Sequence, residues 1–479
     1  MRKELVKNNS QRRGISTAIA AVVIVVLVVA VGAGVYYYAS STVTGTTTTN
    51  TQIQTTTNTQ VQTTTQTAVS TVTAKQTETP VTITVWEQYA PSSSAQSEFG
   101  AFNKSLTAFI AAYPWITVNV QTHPDSSIRS DFITASLAGQ APDIMRGPND
   151  QTGALVAGGF IAPIDSFVNS TFLSQYFPAA VEDFQFQGHT WGLAENTNFL
   201  ALVYNKALVP TPPTTTDQLL TMAQAITKTD STGKITTAGI AFNYAGGLGG
   251  GYWWWPFLNG FGGSVFQAGN PKVPTVNSSQ AVASVQFVNS LVNAGVMPAA
   301  SDYGTADSLF LSGHAGMIIN GPWDVPTYQG NKSLNFGVAP LPTVSSTGKP
   351  LAPFVGAQGW WIASGKSAAE TQASFDFIAW MTNFNSQKNM AQATPDLPSN
   401  AALAKDPLIA NDPIRAGFLA QAATGAQAVN TPEMSVVYAN IGSYLSAAQP
   451  SSAGSTITAA QIQSQLNQAE AAIIRAIGS

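Results

Sequence analysis

The side chains that could do chemistry in this 479-residue chain are carboxylates, amides and aromatics. Glu87 and Gln88 follow the β-branched run Val81–Trp86, Asp150 follows Asp143-Ile144-Met145, and Glu195 lies further on. Carboxylates converging from strand ends can support glycoside hydrolysis, or can simply accept hydrogen bonds from hydroxyl groups. A second chemistry is stacking. Ala315 to Asn320 is a short apolar run closed by Gly321-Pro322, after which Trp323 is presented. Such a run reads as a strand delivering a side chain to its end, and ligands of open α/β sheets bind outside the carboxyl ends of strands. Gly246 to Gly251 is glycine-rich and leads into Tyr252-Trp253-Trp254-Trp255. No Lys-Ser/Thr follows, so a phosphate loop is not indicated. The stretch reads as a flexible loop ending in aromatics, with at least one of the three tryptophans in a core.

Other chemistries are poorly served. His123, His189 and His314 are widely separated and no His-Glu-x-x-His occurs, so no metal site is expected. There is no cysteine, which removes disulfides, thiolate ligands, a cysteine nucleophile and a lipid-modified cysteine anchor. No Gly-x-Ser-x-Gly elbow is present. Neither a cofactor nor an enzymatic activity is expected. Only 9% of residues are charged and the net charge is −4. The basic N-terminus holds five positive charges against one negative, so the remainder is more acidic than the whole. A nucleic-acid partner is therefore not expected.

The elements that position these groups start near Pro80. Val81–Trp86 and Ile116–Val120 read as strands, Phe99–Tyr113 and Ile128–Leu137 as helices, and Asp143–Met145 as a further short strand. The alternation implies α/β architecture with βαβ units and a parallel sheet. Ahead of this body, 1–14 is a basic segment and 15–38 an uncharged, mostly apolar run of bilayer-spanning length. Its basic flank favours an inside N-terminus and an external remainder. Residues 39–80 are rich in threonine, with an eight-residue repeat at Asn50–Thr57 and Asn58–Thr65, and read as an extended stalk. The Arg12-Arg13-Gly14-Ile15-Ser16 junction resembles prepilin-type signals of archaeal surface proteins, which implies cleavage after Gly14; an uncleaved anchor is the alternative.

Six landmarks in order resemble the maltose-binding family of extracellular sugar receptors for ABC importers. They are Ala141-Pro142-Asp143-Ile144, Gly158 to Ile164, Leu202 to Leu208, Asn320-Gly321-Pro322-Trp323, Phe354-Val355-Gly356 and Pro432-Glu433-Met434-Ser435. The likeness spans about 81–479 and implies a two-lobed periplasmic-binding-protein fold. By resemblance, one lobe takes 81–196 and 357–397, and the other takes 197–356 and 398–479. The same likeness implies that Trp323, Tyr252 and Tyr438 stack on a sugar and that Asp150 accepts its hydroxyls. It places Glu195 and Asn198 at the first crossover and a ligand-facing residue at Trp360 or Trp361, with Trp360 favoured. Asp324 serves either the ligand or the turn. The family's stacking tryptophan, an arginine and an acidic ligand residue fall here on Gly147, Gln151 and Asn198, so the resemblance implies that the architecture is kept while maltose itself is not implied.

The function expected is a surface receptor, anchored by the N-terminal helix, that binds a sugar (an oligosaccharide) and delivers it to ABC permease subunits. The alternatives are a structural or adhesive surface protein assembled through the pilin-like N-terminus, and a binder of another solute.

Overall fold

The computed structural model describes residues 79–89, 97–244 and 247–478. The basic segment, the apolar helix and nearly all of the stalk expected from the sequence lie outside the described residues. Among the described residues no helix is long and apolar enough to cross a membrane.

Two sheets organise the body. In chain order the strands of interest are β1 (Val81–Glu87), β2 (Ile116–Thr122), β3 (Ile144–Pro148), β4 (Gly192–Asn198), β5 (Ala201–Asn205), β6 (Ile235–Ala241), β7 (Ala315–Asn320), β8 (Phe336–Ala339), β9 (Phe354–Ile362) and β10 (Leu397–Pro398). The first sheet runs β2-β1-β3-β9-β4-β10, and the second runs β8-β5-β7-β6 and ends on Lys228–Thr229. The helices that matter below are α1 (Glu98–Ala112), α2 (Ile128–Leu137), α3 (Gly247–Gly260), α4 (Ser279–Asn293), α5 (Tyr303–Leu311), α6 (Ala368–Met381), α7 (Pro432–Ala447) and α8 (Ala459–Ile477).

The βαβ expectation holds for one part of the first sheet, where β1 is parallel to both β2 and β3. The sheet is otherwise mixed: β9 is antiparallel to β3 and β4, and β4 is antiparallel to β10. The reason is connectivity. β4 runs with β1 and β3 and leads within two residues into β5 of the second sheet, whereas β9 and β10 enter the first sheet after that excursion and run the other way. The lobe boundaries expected at 196/197 and 356/357 fall inside β4 and β9.

Period-two alternation decides what each strand buries. In β7 all six residues are buried. Met317 and Ile319 enter one core with Trp254, Trp255 and the helices α7 and α8, while Ile318 between them enters another with Phe310 and Phe418. The same rule acts on β9. Trp360 and Ile362 pack with Ile83, Phe102 and Phe377 on one face of the first sheet, and Trp361 and Ala363 pack with Phe132, Leu155 and Phe184 on the other.

The glycine-rich loop expected before the tryptophans is instead the first turn of α3. Each glycine costs a helix roughly 1 kcal/mol relative to alanine. Burial outweighs that cost: Trp254, Trp255, Phe257 and Leu258 are all removed from water, against α4 and α7. All three tryptophans are core residues with satisfied indoles. Trp253 donates to Ile319 O (2.8 Å), Trp254 to Ser284 Oγ (2.8 Å) and Trp255 to the Tyr438 hydroxyl (3.3 Å).

Trp360, at 0% exposure between Phe102 and Phe377, is a core residue of the first sheet. Trp360→Ala should therefore cost about 3–5 kcal/mol of unfolding free energy, read by urea denaturation.

Candidate functional site

The Asn320–Asp324 turn is held by a closed set of hydrogen bonds. Asn320 Nδ2 donates to Asp324 Oδ2 (2.7 Å) and to the Tyr328 hydroxyl (2.9 Å), and Gly321 N donates to Asn320 Oδ1 (2.9 Å). Pro322–Asp324 forms one 3₁₀ turn. The half-buried Trp323 indole donates to the Tyr303 hydroxyl (2.9 Å), which in turn donates to Asp324. Asp324 thus serves the turn; burial raises its pKa, against the hydrogen bonds from Tyr303 and Asn320. Gly321 is required by close approach: a Cβ there would lie 1.9 Å from the Trp323 ring. Tyr303 had no sequence motif to announce it.

The aromatics continue from Trp323 into α3. Trp323 meets Trp253 edge to face at 6.4 Å, and Trp253 meets Tyr252 the same way at 5.4 Å. One helical turn brings Trp255 to Tyr438 on α7, at 5.9 Å. Tyr438 is hydrogen-bonded to Asp150, which sits in the 3₁₀ turn Asn149–Gln151 directly after β3. The Asp150 carboxyl is pushed up to about 6, by burial first, against the Tyr438 hydrogen bond and the Arg129 charge. Burial likewise raises the Tyr252 and Tyr438 hydroxyls, with the Asp150 charge adding to it. Four sequence-expected residues, Trp323, Tyr252, Tyr438 and Asp150, therefore lie along one run of contacts that starts in the second sheet's cores and ends on the first sheet.

Around Asp150 several buried polar atoms have no hydrogen-bond partner in the protein: Gln88 Oε1, Arg129 Nε, Asn149 Nδ2 and Gln151 Oε1. Gln88 Nε2 donates to Gln358 Oε1 (3.3 Å), and Asn149 Oδ1 accepts from Ala357 N (3.0 Å) on β9. Buried polar groups are normally satisfied, so a cluster of unpaired donors and acceptors is suited to a polar ligand. Sequence reading passed over Arg129 and Asn149. It also missed Asn430, which accepts from Gly153 N (2.9 Å) and donates to the carbonyls of Asp183 and Gln185 (3.3 Å each), tying the approach to α7 against the first sheet.

The remaining candidates form a separate buried cluster. Glu195, 3% exposed, accepts from Arg146 Nε (2.8 Å) and from the Tyr89 hydroxyl (2.7 Å to each oxygen). The Arg146 guanidinium also lies 4.2 Å from the Tyr89 ring centre. Glu87, 0% exposed, accepts from Tyr89 N and from Thr122. Asn196 donates to Asp396 Oδ2 (2.8 Å), and the Asn198 amide donates to Asp396 Oδ1 (3.0 Å). Burial raises the pKa of Glu87, Glu98 and Asp396, with the Arg146 charge opposing it in each case. Glu87, Glu195 and Asn198 thus spend their polar atoms on neighbouring protein groups, and Glu87 and Glu195 do not converge with Asp150 as a hydrolytic pair. Trp360 corrects the expectation of a ligand-facing ring: strand alternation aims it into the core of the first sheet. Among the described residues no group of three or more histidines, aspartates or glutamates could hold a metal ion.

Residues 102–417 match a family model described as bacterial extracellular solute-binding protein. A maltotriose-binding protein of Pyrococcus abyssi is 27% identical over 75% of this chain and 75% of its own length. A galactooligosaccharide-binding protein of Bacillus subtilis is 23% identical over 76% of this chain and 84% of its own. Among solved structures, the maltotriose-binding protein of Thermus thermophilus bound with maltotriose superimposes with a TM-score of 0.71 at 28% identity, covering 83% of this chain and all of the other. The maltose/maltodextrin-binding domain from Bdellovibrio bacteriovorus, bound to maltotriose, gives 0.74 at 26% identity with the same coverage. The fold is that of these two-lobed proteins.

The buried cluster and the surface differ in what a lost charge costs. Arg146→Met leaves Glu195 buried without its cation and should cost about 3–5 kcal/mol. Lys388→Met removes the Lys388–Asp406 surface pair (2.6 Å) and should leave the urea midpoint nearly unchanged. Urea midpoints of the two variants check the contrast.

Proposed function

The chain belongs to the bacterial extracellular solute-binding protein family, and from that premise we propose that it is a cell-surface receptor that encloses an oligosaccharide between its two lobes and delivers it to an ABC importer. The observation that carries the reading is the run from Trp323 through Tyr252 to Tyr438, which meets Asp150 and a set of unpaired polar atoms across the cleft. A sugar needs both surfaces. Flat aromatic rings cover its C–H faces, and planar polar groups receive its hydroxyls.

Magnitudes agree with such a role. An aromatic contact adds ~0.5–1.5 kcal/mol beyond area burial, by analogy with aromatic pairs. Each neutral hydrogen bond nets about 0.5–1.5 kcal/mol. Three rings and several hydrogen bonds reach roughly micromolar affinity. In this reading Trp323, Tyr252, Tyr438, Asp150 and Gln88 touch the sugar, joined by Arg129, Asn149 and Gln151. Glu87, Glu195 and Asn198 act from behind, holding the strand ends that carry Gln88 and Arg146. The apolar segment 15–38 tethers the receptor to the membrane, and the stalk 39–80 spaces it from the surface. The permease docks on the closed form.

The named ligands of the relatives are both gluco- and galacto-oligosaccharides, so the test uses both. Maltotriose or a galactotriose at about 100 times its Kd should stabilise the protein by roughly 2.7 kcal/mol, read as a thermal shift. Trp323→Ala should abolish most of that shift, read against the variant's own sugar-free melting temperature. No shift with either sugar, or with a broad panel, would overturn the proposal.

A further inference from the structure

The turn that closes β7 places the backbone of Trp323, but it does not orient the ring. A tryptophan side chain has two torsions, and the second is broad. A ring that lies flat on a sugar binds more tightly when both torsions are set before the sugar arrives. Contacts on three sides set them here. The six-membered part of the ring lies over Gly321, where a Cβ would be 1.9 Å from it. At the other edge the indole N–H donates to the Tyr303 hydroxyl (2.9 Å). Trp253 meets Tyr303 and Trp323 edge to face, at 5.7 and 6.4 Å, and closes the third side.

Tyr303 is itself held from several directions. It opens α5, and Asp307 stands one turn further along the same helix face. Both brace the Trp323 turn. Tyr303 donates to Asp324, and Asp307 Oδ1 accepts from the Tyr328 hydroxyl (2.7 Å). Asn320 Nδ2 joins the two branches by donating to Asp324 and to Tyr328. The one O–H of Tyr303 is used on Asp324, so its oxygen meets the indole as an acceptor. The start of α5 is fixed as well. Asp302 Oδ1 caps it by accepting from Thr305 N (2.8 Å), and Ser301 O accepts from Tyr244 N (3.0 Å). Ala300, just before, takes the left-handed conformation (φ 51°), which an L side chain disfavours. Ala306 and Phe310 then bury α5 with Ile318 of β7 and with Tyr328. All of these groups belong to the second sheet and the elements packed on it.

We infer that Tyr303 is a positioning residue for sugar capture: its hydroxyl sets the plane of the Trp323 ring, and it acts on the sugar through that ring rather than by touching it. The inference rests on the receptor reading and deepens it. The Asp324 carboxylate is close enough to the indole to be a second acceptor. Without the Tyr303 hydroxyl the N–H turns towards Asp324, and the ring tilts away from the plane it now presents.

The experiment is titration calorimetry of the full chain with maltotriose and with a galactotriose, for Tyr303→Phe, Trp323→Phe and the double variant. Tyr303→Phe keeps the ring against Trp253 and removes only the hydroxyl. It should weaken Kd by about three- to tenfold, the worth of one net hydrogen bond. Trp323→Phe keeps a flat ring but has no N–H to hold. Adding Tyr303→Phe to it should therefore change Kd by less than about twofold. The Trp323 indole N–H, assigned by its absence in Trp323→Phe, should also shift in the nitrogen-15 NMR spectrum of sugar-free Tyr303→Phe. An unchanged Kd in Tyr303→Phe, or an unmoved indole resonance, overturns the inference. So does a full loss that persists in the Trp323→Phe background, which would put Tyr303 on the sugar itself. If the unaltered chain binds no sugar, the receptor reading falls and takes the inference with it. If the unaltered chain binds and any of those three results appears, the inference alone falls.

Discussion

The buried guanidinium of Arg146 is the constraint on which the binding face depends. Glu87, Glu98, Glu195 and Asp396 gather beneath the strand ends of the first sheet, and their burial would be prohibitive without a cation among them. Arg146 meets that need from β3, through Glu195 on β4 and over the face of Tyr89 just after β1. Asp396 then ties Asn196 and Asn198 to the approach to β10. The ends of four strands are thereby held in one polar lattice. Gln88 directly follows β1 and Asn149, Asp150 and Gln151 directly follow β3, so their positions inherit that rigidity.

The second sheet solves the matching problem with apolar packing. The three tryptophans of α3 are interior, and each indole N–H finds an acceptor, so the helix is anchored by both area and direction. Tyr252 and Tyr438 ride on that core as its partly exposed fringe, and Trp323 lies against the turn that closes β7. One wall is thus made rigid by ions and the other by aromatic packing.

Much of this was readable in the chain. The strand and helix sequence from Val81 to Met145 follows from β-branching and apolar spacing, and α2 falls on Ile128–Leu137 as the spacing implies. The turn at Asn320-Gly321-Pro322 announces a strand end because those residues do little else. The glycine-rich segment before Tyr252 misled for a physical reason. Local propensity opposes a helix there, but the burial of Trp254, Trp255, Phe257 and Leu258 is a tertiary gain that no local rule includes. Trp360 misled for another. Alternation says that Trp360 and Trp361 point to opposite faces, yet it cannot say that both faces of β9 are covered by other layers.

By itself the sequence determined the kinds of groups available, the order of the elements and where several of the strands end. It did so because turn chemistry and side-chain period are local properties of the chain. Only the tertiary structure decided which carboxylates are spent and which are free. Glu195 and Asp150 look alike as residues in a sequence. One is neutralised by an arginine 49 positions away, and the other faces a tyrosine 288 positions away across the gap between two lobes. Charge compensation acts through space, and the low dielectric that gives it force exists only once the sheets have packed.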